Sequence, residues 1–138
     1  MSTPIMYALV GFFGFGLANF FWKVAAANNT YGPSYIVVEG LAFTLFGVLT
    51  HILHRHQFEL PTKITLLAAL GGILAAISVL LVLLAFRAGG EGSIVFPIAR
   101  LGVLVTVVLT IAVYREPLTA TKILGLGFGV TSILFLSR

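Results

Sequence analysis

Apolar residues occupy this chain in long continuous runs, with neither the alternation of a strand nor the one-sided stripe of a surface helix. Five runs stand out: Pro4–Ala27, Ser34–His54, Lys63–Phe86, Ser93–Tyr114 and Thr119–Leu136. They are separated by the short polar segments NNTYGP, HRHQFELP, RAGGEG and REPL. About 20 helical residues cross the roughly 30 Å hydrocarbon core of a bilayer. Within lipid, every backbone polar group must be satisfied inside its own segment, which selects helices. Strands of a membrane barrel would alternate in polarity, and these runs do not. The pattern predicts an all-α fold: a polytopic bundle of five transmembrane helices forming one domain over residues 1–138.

Composition agrees with that solvent. The chain is 59% hydrophobic and 9% charged, with a mean hydropathy of +1.13. Soluble domains average roughly 45–50% apolar and about 25% charged residues. The net charge of +4 is spread singly around the apolar runs, without the basic cluster that a nucleic-acid partner requires. Cysteine is absent, so disulfides, thiolate metal sites and a cysteine nucleophile are excluded. The first residues, MSTPIMYALVGFFGFG, have no basic n-region, and their apolar run is too long for a signal peptide. GFFGFG and GLGFG lie inside apolar runs without the strand context of a nucleotide-binding loop. Nothing pairs a nucleophile with a base, and there is no aspartate, so the chain is read as a non-enzyme without a cofactor.

Basic residues set an expected orientation. The second and fourth connections carry Arg55, Lys63, Arg115 and Lys122, against Lys23, Arg87 and Arg138 on the other side. The excess of one favours N-terminus in and C-terminus out. Trp22, Tyr31 and Tyr35 would then form an outer aromatic belt, and Tyr7 and Tyr114 an inner one. Small residues recur at helix-packing spacing: Gly14/Ala18, Gly72/Ala76, Gly102/Thr106/Thr110 and Gly125/Gly129. Such stripes let membrane helices approach closely. They serve either packing within one bundle or, for Gly125/Gly129, a dimer interface.

The ionisable residues in the runs carry the candidate chemistry. A charge at the bilayer centre costs about 2.5–3.5 kcal/mol on insertion scales and is seldom idle. Lys23 lies near the outer end of the first run, and Glu39 about five residues into the second. Arg100 lies about seven residues into the fourth, roughly 10 Å deep. All three fall in one outward layer, where Glu39 can neutralise Arg100 or Lys23. Lys23 can equally snorkel to the headgroups. For Arg100, snorkelling, structural pairing with Glu39 and a role in a solute pathway are all open. Glu39 is either a counter-ion or a protonatable coupling group. His51 and His54, at i and i+3, lack a third ligand, so no metal site is expected.

The residues from Ala85 onward read AFRAGGEGSIVFPIARLGVLVTVVLTIAVYREPLTATKILGLGFGVTSILFL. This half resembles the second part of an EamA-type domain, a unit of the drug/metabolite transporter superfamily. The likeness is carried by the small loop, Pro97, Arg100 and REPLTATKILGLGFGV. The segment GFGLANFFWKVA, ending at Lys23, resembles the first helix of that family. The best fit is the five-helix, single-domain bacterial and archaeal branch. The resemblance implies a secondary transporter, in the direction of export, of a small metabolite or drug-like solute in the prokaryotic cytoplasmic (inner) membrane.

Ten spans in two inverted five-helix units are common in that family. One odd-numbered unit therefore implies a homodimer, antiparallel if it reproduces that plan, with a site near the midplane. The solute-cavity candidates are Asn19, Trp22, Lys23, Glu39, Pro97 and Arg100. The helix-packing or dimer candidates are Gly102, Thr106, Thr110, Gly125 and Gly129. Pro97 removes a backbone hydrogen bond and could hinge the fourth run. Small multidrug-resistance relatives bind cations with a glutamate in the first helix, and the first run here has no acidic residue, which weakens a multidrug-cation reading. The alternatives are a non-transporting membrane subunit of a larger complex and a component of a lipid-carrier flippase.

Overall fold

The computed structural model describes residues 3–55, 57–117 and 119–136. They form six helices: α1 (Thr3–Ala27), α2 (Gly32–His54), α3 (Thr62–Arg87), α4 (Gly92–Arg100), α5 (Gly102–Tyr114) and α6 (Ala120–Leu136). No strand occurs among the described residues. Taken together, α4 and α5 span Gly92–Tyr114, and this segment and the first three helices are long and apolar enough to cross a membrane. The expected fifth span is the shorter α6, whose 17 residues reach about 26 Å at 1.5 Å per residue. Thr119 lies outside that helix, and the Lys122 backbone N–H donates to its hydroxyl at 3.3 Å, as at a helix start. Four spans, rather than five, are therefore established by length and apolarity.

The ends of the helices follow from local chemistry. Beyond α1, Asn29 takes a left-handed backbone with φ 54°. The N–H of Thr30 bonds to the Ala25 carbonyl at 3.1 Å, and that of Asn29 to Ala26 at 3.0 Å. This is the Schellman arrangement, with asparagine in the place glycine usually takes. Pro33 sits in the first turn of α2, where its missing N–H costs nothing. Gly89 closes the turn after α3 at φ 92°, a conformation that side-chain-bearing residues rarely adopt.

Residues 1–88 and 89–138 form two compact units. In the first, α3 packs on both α1 and α2. Its buried residues are Ala25, Ala26, Gly32, Leu83 and Phe86, all near the end of the helices that carries the α1–α2 loop. A Cβ on Gly32 would come 3.0 Å from Leu80 Cδ1, so the start of α2 lies close against α3. Towards the opposite end, Thr3–Leu17 of α1 and Thr62–Ala75 of α3 are exposed throughout. The three helices thus find their mutual packing at one end.

In the second unit, the Ser93–Tyr114 run is divided at Leu101. The Leu101 N–H bonds to the Ile98 carbonyl at 3.0 Å and the Leu104 N–H to Leu101 at 2.9 Å. These are three-residue, 3₁₀-type bonds, of the kind that mark mid-helix hinges. Pro97 sits inside α4, so the change in winding falls after Arg100, four residues beyond the proline. In the same unit α4 packs on α6.

Candidate functional site

Asn19, Trp22 and Lys23 fall at i, i+3 and i+4 on α1, a spacing that places them on one helix face. Tyr35 and Glu39 share a face of α2 by the same rule. All five are half-buried. The Trp22 indole Nε1–H donates to Glu39 Oε1 at 2.8 Å. Indole is a donor only, so the carboxyl oxygen must accept.

Two further contacts close the same end of the first unit. Lys23 Nζ lies 4.7 Å from the centroid of the Phe86 ring, within the range of a cation–π interaction. Phe86 is itself only 5% exposed, so the ammonium rests against the small core. The Arg87 guanidinium donates to the Asn29 carbonyl at 2.8 Å, joining the end of α3 to the α1–α2 loop. Trp22–Glu39, Lys23–Phe86 and Arg87–Asn29 bind three helices and a loop at one level.

Lys23, Glu39 and Arg100 were expected in one layer, with Glu39 neutralising Lys23 or Arg100; of the three, Lys23 and Glu39 lie in the first unit. The donor to Glu39 is Trp22, while Lys23 lies against an aromatic face. Sequence reasoning missed Phe86 and Arg87. Phe86 is one of 12 phenylalanines, and nothing in the local pattern distinguishes it. Arg87 had an ordinary explanation as a residue flanking a span.

In the second unit, Arg100 is exposed at the C-terminal end of α4, and Pro97 is half-buried one turn earlier. The Thr106 hydroxyl donates to the Gly102 carbonyl at 3.3 Å, and that of Thr110 to Thr106 at 2.7 Å. Both hydroxyls thus serve their own helix. A Cβ on Gly102, Gly125 or Gly129 would meet nothing within 4 Å, so these glycines border open space in the single chain. At the α5–α6 turn, Lys122 Nζ lies 3.6 Å from Glu116 Oε2 and donates to the Pro117 carbonyl at 3.2 Å.

The histidines are occupied locally. The His54 Nδ1 lies 2.8 Å from the Thr50 carbonyl, and His51 meets the Phe58 ring edge-to-face at 5.7 Å. No group of three potential metal ligands occurs among the described residues. His56 lies outside the described residues.

No described protein family's sequence profile matches the chain, and no solved structure matches it. The chain is 28% identical over 138 residues to an uncharacterized protein of Methanocaldococcus jannaschii, covering 99% of this chain and 98% of the other. The likeness therefore runs almost end to end in both.

Proposed function

We propose that the protein is a secondary transporter of a small solute, working as a homodimer by alternating access. The observation that carries this reading is the half-buried Glu39 carboxylate, held through one oxygen by Trp22 inside a helix of membrane-spanning length. An ionisable group at such a place marks a solute or ion pathway by default. The first unit is compatible with this reading: α1–α3 are joined at one end and exposed in the single chain towards the other. The EamA-type resemblance supplies the transport class, and Lys23 and Arg100 would favour an anionic or zwitterionic solute. Arg100 and Pro97 belong to the pathway in this reading, with the Leu101 turn as the flexing point of α4 and α5.

The test is flux in proteoliposomes, using a panel of labelled anionic, zwitterionic and cationic metabolites under imposed proton and sodium gradients. Saturable flux of one class by wild-type protein supports the proposal. Protein that is folded and inserted yet moves none of them removes it. Single cysteines in the α2–α3 loop and near the C-terminus, labelled from one side, test the antiparallel arrangement. Each site must react partly from both sides if the two orientations coexist.

A further inference from the structure

In the second unit, α5 and α6 leave an apolar groove between them, of about 370 Å³, lined by Leu104, Val107, Val108, Ile111, Ala112 and Leu126. No polar side chain lines it. One end has a different chemistry. Beyond the last turn of α5 comes Arg115, and one turn before Leu126 on α6 is Lys122. Both cations are exposed, and among the described residues of this turn one carboxylate, Glu116, accompanies them, 3.6 Å from Lys122. This end therefore keeps a net positive charge beside the apolar groove.

Size decides what can enter. One turn of an α-helix, about 10 Å across and 5.4 Å tall, already fills about 420 Å³. A partner helix can lie over such a groove but cannot sit within it. With each methylene taken as about the size of a water, roughly 30 Å³, the groove holds on the order of a dozen, as a single lipid chain supplies. A basic pocket at the end of membrane helices is the electrostatic counterpart of an anionic headgroup.

We propose that this groove binds one anionic phospholipid, with a hydrocarbon chain between α5 and α6 and its phosphate at Arg115 and Lys122. The lipid fills space that no side chain of this unit fills and ties its headgroup to the α5–α6 turn. The site shares no residue with the Trp22–Glu39 pair, and the proposal stands whether or not the protein carries a solute.

Native mass spectrometry of the full chain, released from micelles doped with equal phosphatidylglycerol and phosphatidylcholine, tests it. Wild-type protein should retain one phosphatidylglycerol at least tenfold in preference to phosphatidylcholine. The double variant Arg115→Ala/Lys122→Ala should lose that preference, and Arg115→Lys/Lys122→Arg should keep it. Ala112→Phe, which fills the groove, should release both lipids while circular dichroism shows unchanged helix content. If Ala112→Phe loses helix, Val108→Met serves as the milder filling variant, with the same expected release. Equal retention of the two lipids by wild-type protein, or full retention by a folded groove-filled variant, overturns the proposal. So does a groove-filled variant that changes only the oligomeric mass, since the occupant would then be a second copy.

Discussion

Removing the Trp22–Glu39 hydrogen bond should have a cost that can be worked out in advance. Trp22→Phe deletes the donor and leaves a half-buried carboxylate unanswered. A hydrogen bond to a charged group contributes about 1.5–3 kcal/mol in soluble proteins. Within membranes the unfolded reference state also finds partners, and measured couplings average about 0.6 kcal/mol with a maximum near 1.7. For a charge-assisted bond of 2.8 Å, the upper half of that range, about 1–1.7 kcal/mol, is expected. The assay is reversible unfolding in mixed micelles of rising dodecyl sulfate fraction, followed by helix content. Measured on wild-type, Trp22→Phe, Glu39→Leu and the double variant, it gives the coupling directly. That coupling should equal a factor of roughly 5 to 20 in the folding equilibrium. A coupling below about 0.3 kcal/mol would refute the claim that this bond holds α1 to α2.

Other consequences follow from the same geometry. Phe86→Leu keeps an apolar side chain but removes the ring beneath Lys23, and should lower stability by about 0.5–2 kcal/mol in the same micelle assay. Gly32→Ala should be mild, because the atom it meets at 3.0 Å is the end of the Leu80 side chain. Gly32→Ile should cost about 1–3 kcal/mol by overpacking. Gly102→Ala meets nothing within 4 Å and should raise stability by about 0.5–1 kcal/mol; if the Leu101 turn flexes during transport, flux should fall at the same time. Lys122→Met removes an ion pair whose partners are about half exposed, so its loss should cost under about 1 kcal/mol. A larger loss would show that the α5–α6 turn depends on that pair.

Much of the fold was legible because lipid imposes few options. The apolar runs placed the starts and ends of the helices within one or two residues of those observed, since loop residues such as Asn29, Pro33 and Gly89 have strong local reasons to interrupt a helix. The division at Leu101 was not legible. Pro97 announced an irregularity, but the site of the 3₁₀ turn depends on which carbonyls the next N–H groups reach, and no side-chain pattern encodes that. Residues of the site were legible by their cost: Lys23 and Glu39 stood out as charges in apolar runs. Their partners, Trp22 for Glu39 and Phe86 for Lys23, depend on the rotation of three helices about their axes. The moment of a helix that is apolar all round gives no such rotation.

Transport at the Glu39 site is the central claim, and tracer flux through matched proteoliposomes tests it most directly. Wild-type, Glu39→Gln and Trp22→Phe protein would be compared at equal insertion, with the best solute from the panel. The account predicts saturable flux for wild-type protein, at least a tenfold loss in Glu39→Gln, and an intermediate loss in Trp22→Phe, which keeps the carboxylate but frees its rotamer. Undiminished flux in Glu39→Gln, in protein that remains folded, would contradict it.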